Sequence, residues 1–295
     1  MMHPVVVCHG GVQSVSDLNS TVVHEAATAG YQILANNGSA LDAVVESVRV
    51  LEDCPALNAA LGSNLQLDGV VRCDAGVMTS SGHYGACIGT SIIKNPILLA
   101  KEIVHHRVNL LHGQYADKFG KDKGLAAVDN SYFKVEKRLS RWKDSQTLAG
   151  CDTVGAVAID KDGLLAAASS TGGLTTCIPG RVGDSAISGQ GLAVDPEIGA
   201  ITATGTGEFI AKQCTSKDVL QKIKYLKLDP LTAAKETFQE YKTQFREDAI
   251  AAIFVSNDGV PCIYAESDSL EWAVVGDKFN ASGFHNHDKN LFATS

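Results

Sequence analysis

The sequence predicts a layered α+β fold in which helices pack outside a sheet core. Three observations predict it. Short apolar runs of strand character recur along the chain, helical stretches fall in groups between them, and the last forty-odd residues are rich in strands. With 295 residues, 45% of them hydrophobic and 20% charged, the chain has ample material for one large core or two small ones.

Residues 5–8 read as a strand that runs into the glycine turn His9-Gly10-Gly11. A helix over about 19–36 ends at Asn37-Gly38, a pair suited to a left-handed helix cap. Ser39 then caps a second helix over 40–52, where Ala43, Val44, Ser47, Val48 and Leu51 recur at helical spacing. Strand character returns at 64–67, 70–74 and 83–91, and helices are expected at 96–106 and 111–119. The stretch 120–150 is polar and charged, with short apolar patches around Tyr132-Phe133 and Leu139, and reads as a partly helical, exposed linker. Beyond it, strands are expected at 153–159, 164–168 and 200–204, and helices over 209–227 and 232–245. Strands at 251–255, 260–264 and 271–275 complete the pattern.

Charge and composition narrow the function. A formal net charge of −8 argues against a polyanionic partner, and the basic stretch 134–143 is offset by Glu136 and Asp144 as on a solvated helix face. Neither nucleic acid nor membrane is expected as a partner, because there is no basic footprint and no apolar run near the ~20 residues of a membrane span. The start lacks a basic leader, and the eight cysteines show no CxxC spacing, which fits reduced thiols and a cytoplasmic location. The Asn-x-Ser/Thr sequons at Asn19, Asn37 and Asn280 read as chance matches.

The chemistry starts at Asp152-Thr153-Val154-Gly155, where a threonine opens a buried strand directly behind an aspartate. Alone, the pair is an ordinary turn-to-strand junction. Threonine becomes a useful nucleophile when the chain is cut before it, because its freed α-amine, with a pKa of roughly 7.7–8.0, is then a base near neutral pH. Three constellations follow. Ser169-Ser170-Thr171-Gly172-Gly173 puts hydroxyls at a strand end before a flexible turn. Gly180-Arg181-Val182-Gly183-Asp184 sets a guanidinium and a carboxylate three residues apart, either as a surface ion pair or as a receptor for a zwitterion. Thr204-Gly205-Thr206-Gly207-Glu208 allows close backbone approach, so that N–H and hydroxyl groups can face a developing oxyanion.

These motifs, with Pro179, Ser185, His9-Gly10-Gly11, Leu51-Glu52-Asp53, Asn58-Ala59, Gly62-Ser63, Lys94-Asn95-Pro96 and Trp272-Ala273, resemble the plant-type asparaginase/isoaspartyl peptidase family along essentially the whole chain. The resemblance implies a four-layer αββα sandwich of the N-terminal-nucleophile hydrolase type. It implies one domain over 1–295, cut between Asp152 and Thr153 into an α chain, 1–152, and a β chain, 153–295. The chains would assemble as a heterotetramer of two α and two β chains. Thr153 would be nucleophile and base, and Thr171 would hold the Thr153 side chain and amine. Arg181 and Asp184 would grip the substrate's α-carboxylate and α-ammonium, with Val182 and Gly183 between them in the binding loop. Thr204 and Gly205 would form the oxyanion hole, and Thr206 and Gly207 would line the pocket.

The expected substrates are small molecules, asparagine and isoaspartyl dipeptides, and no redox or nucleotide cofactor is called for. In the family a loop wraps a sodium ion with backbone carbonyls, here those of Leu51, Glu52, Leu57, Ala59 and Leu61. Ala60 stands where the family usually has glycine, and an alanine with positive φ is strained. Val12-Gln13 and Thr79-Ser80 also depart from the family pattern. Two alternatives stay open: an endopeptidase like threonine aspartase, towards which the run 51–55 leans, and a non-processing homologue that acts only as a binding protein.

Overall fold

The computed structural model describes residues 2–12, 20–144, 152–245, 249–267 and 270–285. In chain order, strand β1 (Val5–Gly11) is followed by helices α1 (Ser20–Ala35) and α2 (Ala40–Glu52), then β2 (Cys73–Thr79) and β3 (Tyr84–Thr90). Next come α3 (Pro96–Val104), β4 (Leu110–His112), α4 (Gly113–Asp122), a 3-10 turn (Asn130–Phe133) and α5 (Glu136–Asp144). The second half runs β5 (Val154–Ile159), β6 (Leu165–Thr171), β7 (Leu192–Asp195), β8 (Gly199–Gly205), α6 (Gly207–Gln213), α7 (Thr215–Leu226) and α8 (Pro230–Phe245). It closes with β9 (Ile250–Ser256), β10 (Pro261–Ala265), β11 (Leu270–Gly276) and β12 (Phe279–His285).

The strands form two sheets, one of eight strands in the order β12-β11-β1-β5-β6-β2-β3-β4 and one of four in the order β10-β9-β8-β7. Helices α1, α2 and α3 cover the outer face of the larger sheet, and α7 and α8 cover the outer face of the smaller one. The inner faces meet through β5 and β6 against β8. This is the expected αββα sandwich.

Three apolar layers hold it together. Central strands are buried on both sides, so they read as continuous apolar runs rather than alternating ones. In β1, Val6 and Cys8 face the helical side, whereas Val5 and Val7 face the second sheet. In β5, Val154, Ala156 and Ala158 point to the helices and Val157 and Ile159 to the sheet. The third layer packs Ile201 and Ala203 of β8 against Val219, Leu220, Phe238 and Tyr241 of the outer helices. Helix α2 follows its sequence signals: the Ser39 hydroxyl accepts the Asp42 N–H at 3.1 Å, and Ala43, Val44, Ser47, Val48 and Leu51 are buried.

The structure departs from the sequence expectations in several places. The expected start of the first helix at Asn19 lies outside the described residues, as do residues 145–150 of the linker. Residues 64–67 are not a strand. The bonds from Gln66 N to Val70 O (3.0 Å) and from Gly69 N to Gln66 O (2.8 Å) fold them into a turn, and the ladder starts only at Cys73. The helix expected over 111–119 begins as strand β4, parallel to β3, before α4 takes over. The helix expected over 209–227 is two, broken at Cys214, whose φ of +53° is left-handed. Strands β7 and β12 were not expected. The linker is less exposed than its composition implies, because Phe133 and Arg138 are buried. The seven cysteines among the described residues are free thiols, and no described helix is long and apolar enough to cross a membrane.

Candidate active site

Strand register brings the predicted groups to one end of the larger sheet. Val154 lies opposite Ser170, Gly155 opposite His9, and Asp74 opposite Thr171. Thr153, one residue ahead of β5, therefore falls level with Thr171 at the sheet end. From the facing sheet, Thr204 on β8 reaches across, and its hydroxyl accepts the Thr153 N–H at 3.2 Å. Thr153, Thr171 and Thr204 are all buried. Gly11 closes over the Asp152–Thr153 peptide with φ +98°, and a Cβ there would stand 3.1 Å from the Thr153 carbonyl oxygen. Gly205 has φ +149°, and a Cβ would stand 2.1 Å from the Ala249 carbonyl oxygen, so a side chain is excluded.

The Asp152–Thr153 bond is intact in the described chain, and its carbonyl is gripped from two sides. Asn58 Nδ2 donates to Asp152 O at 2.8 Å and the Thr171 hydroxyl donates to it at 3.0 Å. In the uncut chain Thr171 thus holds the Asp152 carbonyl, whereas the Thr153 hydroxyl is paired with Ser185 Oγ at 2.7 Å. Asn58 is fixed in turn: its Oδ1 accepts the Asn64 N–H and its Nδ2 also donates to Gly173 O, both at 2.8 Å. Arg138, from α5, locks the loop that carries it by donating to Gly62 O at 2.8 Å, Asn64 Oδ1 at 3.3 Å and Ala56 O at 3.2 Å.

The Arg181–Asp184 pair lies on the same cleft, which is lined also by Leu174, Gly205 and Gly207 and encloses about 210 Å³ of empty space. The two do not bond each other. Arg181 forms a fork with Glu208 on α6, Nε to Oε1 at 2.8 Å and Nη2 to Oε2 at 3.0 Å, leaving its Nη1 edge towards Gly173 and Gly183. Burial alone would raise the Glu208 carboxyl, but the Arg181 guanidinium holds it below its ordinary value. Asp184 is 3% exposed, and its Oδ2 has no hydrogen-bond partner among the described residues. Burial pushes its carboxyl up to about 7. Beneath them Asp74 accepts the Gly89 N–H at 2.8 Å, and burial raises it to about 6.

Not every predicted group faces the cleft. Val182 is 48% exposed and turns instead to a neighbouring, mostly apolar cavity of about 390 Å³ on the other side of Arg181. Gly183 packs against the Arg181 guanidinium, and Thr206 serves as the N-cap residue of α6. Four groups at the site had no role assigned from the sequence: Asn58, Arg138, Ser185 and Glu208. Asn58, Ser185 and Glu208 stand inside the quoted motifs, and only distance in space gives them work.

The expected carbonyl loop is closed by its own bonds. Glu52 O accepts the Leu61 N–H at 3.0 Å, and Leu51 O accepts the Cys54 N–H at 3.2 Å. Each carbonyl keeps a second lone pair, so the oxygen donors fit a hard cation. Ala60 does adopt a positive φ, +44°. No cluster of three or more His, Cys, Asp or Glu suited to a metal occurs among the described residues.

Comparison with known proteins agrees with this geometry. The asparaginase family matches the chain over residues 2–282. The chain is 35% identical to the isoaspartyl peptidase/L-asparaginase of Xenopus laevis over 98% of each chain, and 35% identical to that of Bos taurus over the full length of both. It is 33% identical to the isoaspartyl peptidase of Escherichia coli K12 over 80% of this chain and 82% of that one.

Proposed function

The chain belongs to the type 2 asparaginase family of N-terminal-nucleophile hydrolases, and from that premise we propose that it cuts itself before Thr153 to become a threonine amidohydrolase. It is a hydrolase of the isoaspartyl peptidase/L-asparaginase kind, acting on asparagine or on isoaspartyl dipeptides. The observation that carries the proposal is the doubly gripped Asp152 carbonyl beside the Thr153 hydroxyl.

In self-cleavage Thr153 Oγ attacks the Asp152 carbonyl carbon. Asn58 Nδ2 and the Thr171 hydroxyl already donate to the oxygen that becomes the oxyanion, a contribution of about 2.7–4 kcal/mol per donor. The carbon–nitrogen bond breaks, the nitrogen takes the proton that Oγ lost, and water hydrolyses the ester. Thr171 is then released from Asp152 to hold the Thr153 hydroxyl and amine. In the mature enzyme the α-amine is the base. Arg181 takes the substrate α-carboxylate on the edge not used by Glu208, and Asp184 takes the α-ammonium. Thr204 and the Gly205 N–H receive the oxyanion, with Gly183, Thr206 and Gly207 shaping the pocket and Val182 contributing backbone alone. Ammonia or an amino acid leaves, and water then frees aspartate.

A buried carboxylate with an open oxygen suits a free ammonium, which favours a small substrate over mid-chain cleavage of the threonine aspartase kind. We assign no redox or nucleotide cofactor, and place the mature protein in the cytoplasm as a heterotetramer of two α and two β chains. A structural sodium ion on the carbonyls of Leu51, Glu52, Leu57, Ala59 and Leu61 would raise the melting temperature in sodium over choline chloride; equal values would remove it. The main test is a denaturing gel. Wild type should give chains of 152 and 143 residues (295 − 152) with aspartate released from β-aspartyl dipeptides, and Thr153→Ala one band and no activity. A single wild-type band after prolonged incubation overturns the proposal.

A further inference from the structure

Before cleavage the Thr153 nitrogen is an amide that donates to Thr204 Oγ1, so it cannot serve as the base or hold the Thr153 hydroxyl. We propose that Ser185 is a positioning residue for the Thr153 nucleophile, aiming its hydroxyl at the Asp152 carbonyl in self-cleavage and at the substrate carbonyl afterwards. This rests on the reading of Thr153 as nucleophile given above.

The geometry isolates Ser185 in this task. The neighbouring hydroxyls are committed elsewhere: Thr171 donates to Asp152 O and accepts the Gly173 N–H at 3.1 Å, and Thr204 accepts the Thr153 N–H. Ser185 Oγ is 2.7 Å from Thr153 Oγ1, with Ser185 1% and Thr153 5% exposed, so water hardly competes for the contact. A threonine hydroxyl has three staggered positions, and one fixed partner selects among them.

Ser185 is itself pinned. Its carbonyl accepts the Ser169 hydroxyl, and the next carbonyl, Ala186 O, accepts the Tyr84 hydroxyl. The turn around it is closed onto Asp184 O by Ile187 N at 2.9 Å and Gly191 N at 3.1 Å. A side chain placed on such rigid support preorganises its partner. The acyl shift balances without another reagent. The Thr153 O–H bond breaks, Oγ bonds to the Asp152 carbonyl carbon, the carbon–nitrogen bond breaks, and the proton ends on nitrogen. Ser185 is a neutral hydroxyl before and after.

The test compares Ser185→Ala with Ser185→Thr, which keeps a hydroxyl. In Ser185→Ala, the first-order rate of self-cleavage and the kcat of the processed fraction should each fall about tenfold or more, the loss expected for one hydrogen bond plus misaim. KM for a β-aspartyl dipeptide should stay within about twofold of wild type, and Ser185→Thr should restore most of both rates. Wild-type rates in Ser185→Ala overturn the inference. So does a rise in KM with kcat unchanged, or equal loss in both variants at unchanged melting temperature, which means packing. If Ser185→Ala fails to fold, Ser185→Thr decides alone: it must self-cleave within about threefold of wild type, and slower cleavage by the folded variant overturns the inference. If Thr153→Ala still self-cleaves, the nucleophile reading itself has failed; if it does not while Ser185→Ala does, only this inference has.

Discussion

The two ends of the cleft are built on opposite plans. Around the Asp152 carbonyl the groups are neutral, and donors and acceptors are already matched: Asn58 and Thr171 on the carbonyl, Ser185 on the Thr153 hydroxyl. Around Arg181 the groups are charged and the matching is incomplete, with Asp184 buried and one of its oxygens open. A neutral buried hydrogen bond costs little to keep, whereas a buried carboxylate without a partner costs several kcal/mol. The contrast follows from where the reacting groups come from. Self-cleavage uses only the chain's own atoms, so its site can be complete on folding. Hydrolysis of a substrate needs a vacancy shaped for charges that arrive later.

Variants at the two ends should therefore fail differently. The largest effect is expected for Asn58→Ala, which removes one donor from the Asp152 carbonyl; self-cleavage followed on a gel should slow by roughly 10²–10³. Asp184→Asn should self-cleave normally, yet raise KM for a β-aspartyl dipeptide by on the order of thirtyfold, the scale for losing one side of a buried charge pair. If Asp184→Asn blocks processing, or Asn58→Ala spares it, the division between the two ends is broken.

The smallest effect is in pH dependence. Burial raises Asp184 from its ordinary 3.8 to about 7, and only the ionised form pairs with an ammonium. The kcat/KM of wild type should fall as pH drops through 7, and in Asp184→Asn that limb should vanish, leaving the limb of the α-amine. Stability runs the other way. A carboxyl with a raised folded pKa favours the fold below its unfolded value and loses that contribution as pH rises through about 7. Asp184→Asn should accordingly melt higher than wild type at pH 8, and an unchanged melting temperature would remove the burial argument.

The parts legible in the sequence were the local ones. Thr153, Arg181, Asp184 and the Thr204–Gly205 turn announce themselves because each sits in a short run whose glycines fix the backbone. Helix α2 was legible to the residue because cap and apolar stripe agree. What stayed hidden depends on approach between distant segments. Asn58 works on a carbonyl 94 positions away, and Arg138 reads as one more surface cation until its carbonyl partners in the loop 56–64 are placed. Strand β7 is only four residues long, and the left-handed Cys214 breaks a helix whose composition runs straight through it.

Glu208 governs what happens after the chemistry is over. Its clasp on Arg181 leaves the receptor with one positive charge against two negative ones, Glu208 and Asp184. Asparagine enters as a zwitterion with no net charge. Hydrolysis adds a carboxylate, so aspartate finds itself anionic in a pocket already short of positive charge. The reaction thereby weakens its own product's hold, and turnover is biased towards emptying the cleft. Aspartate should inhibit feebly, and Glu208→Gln should make it a stronger inhibitor; equal inhibition constants would show that the receptor's charge balance plays no part in release.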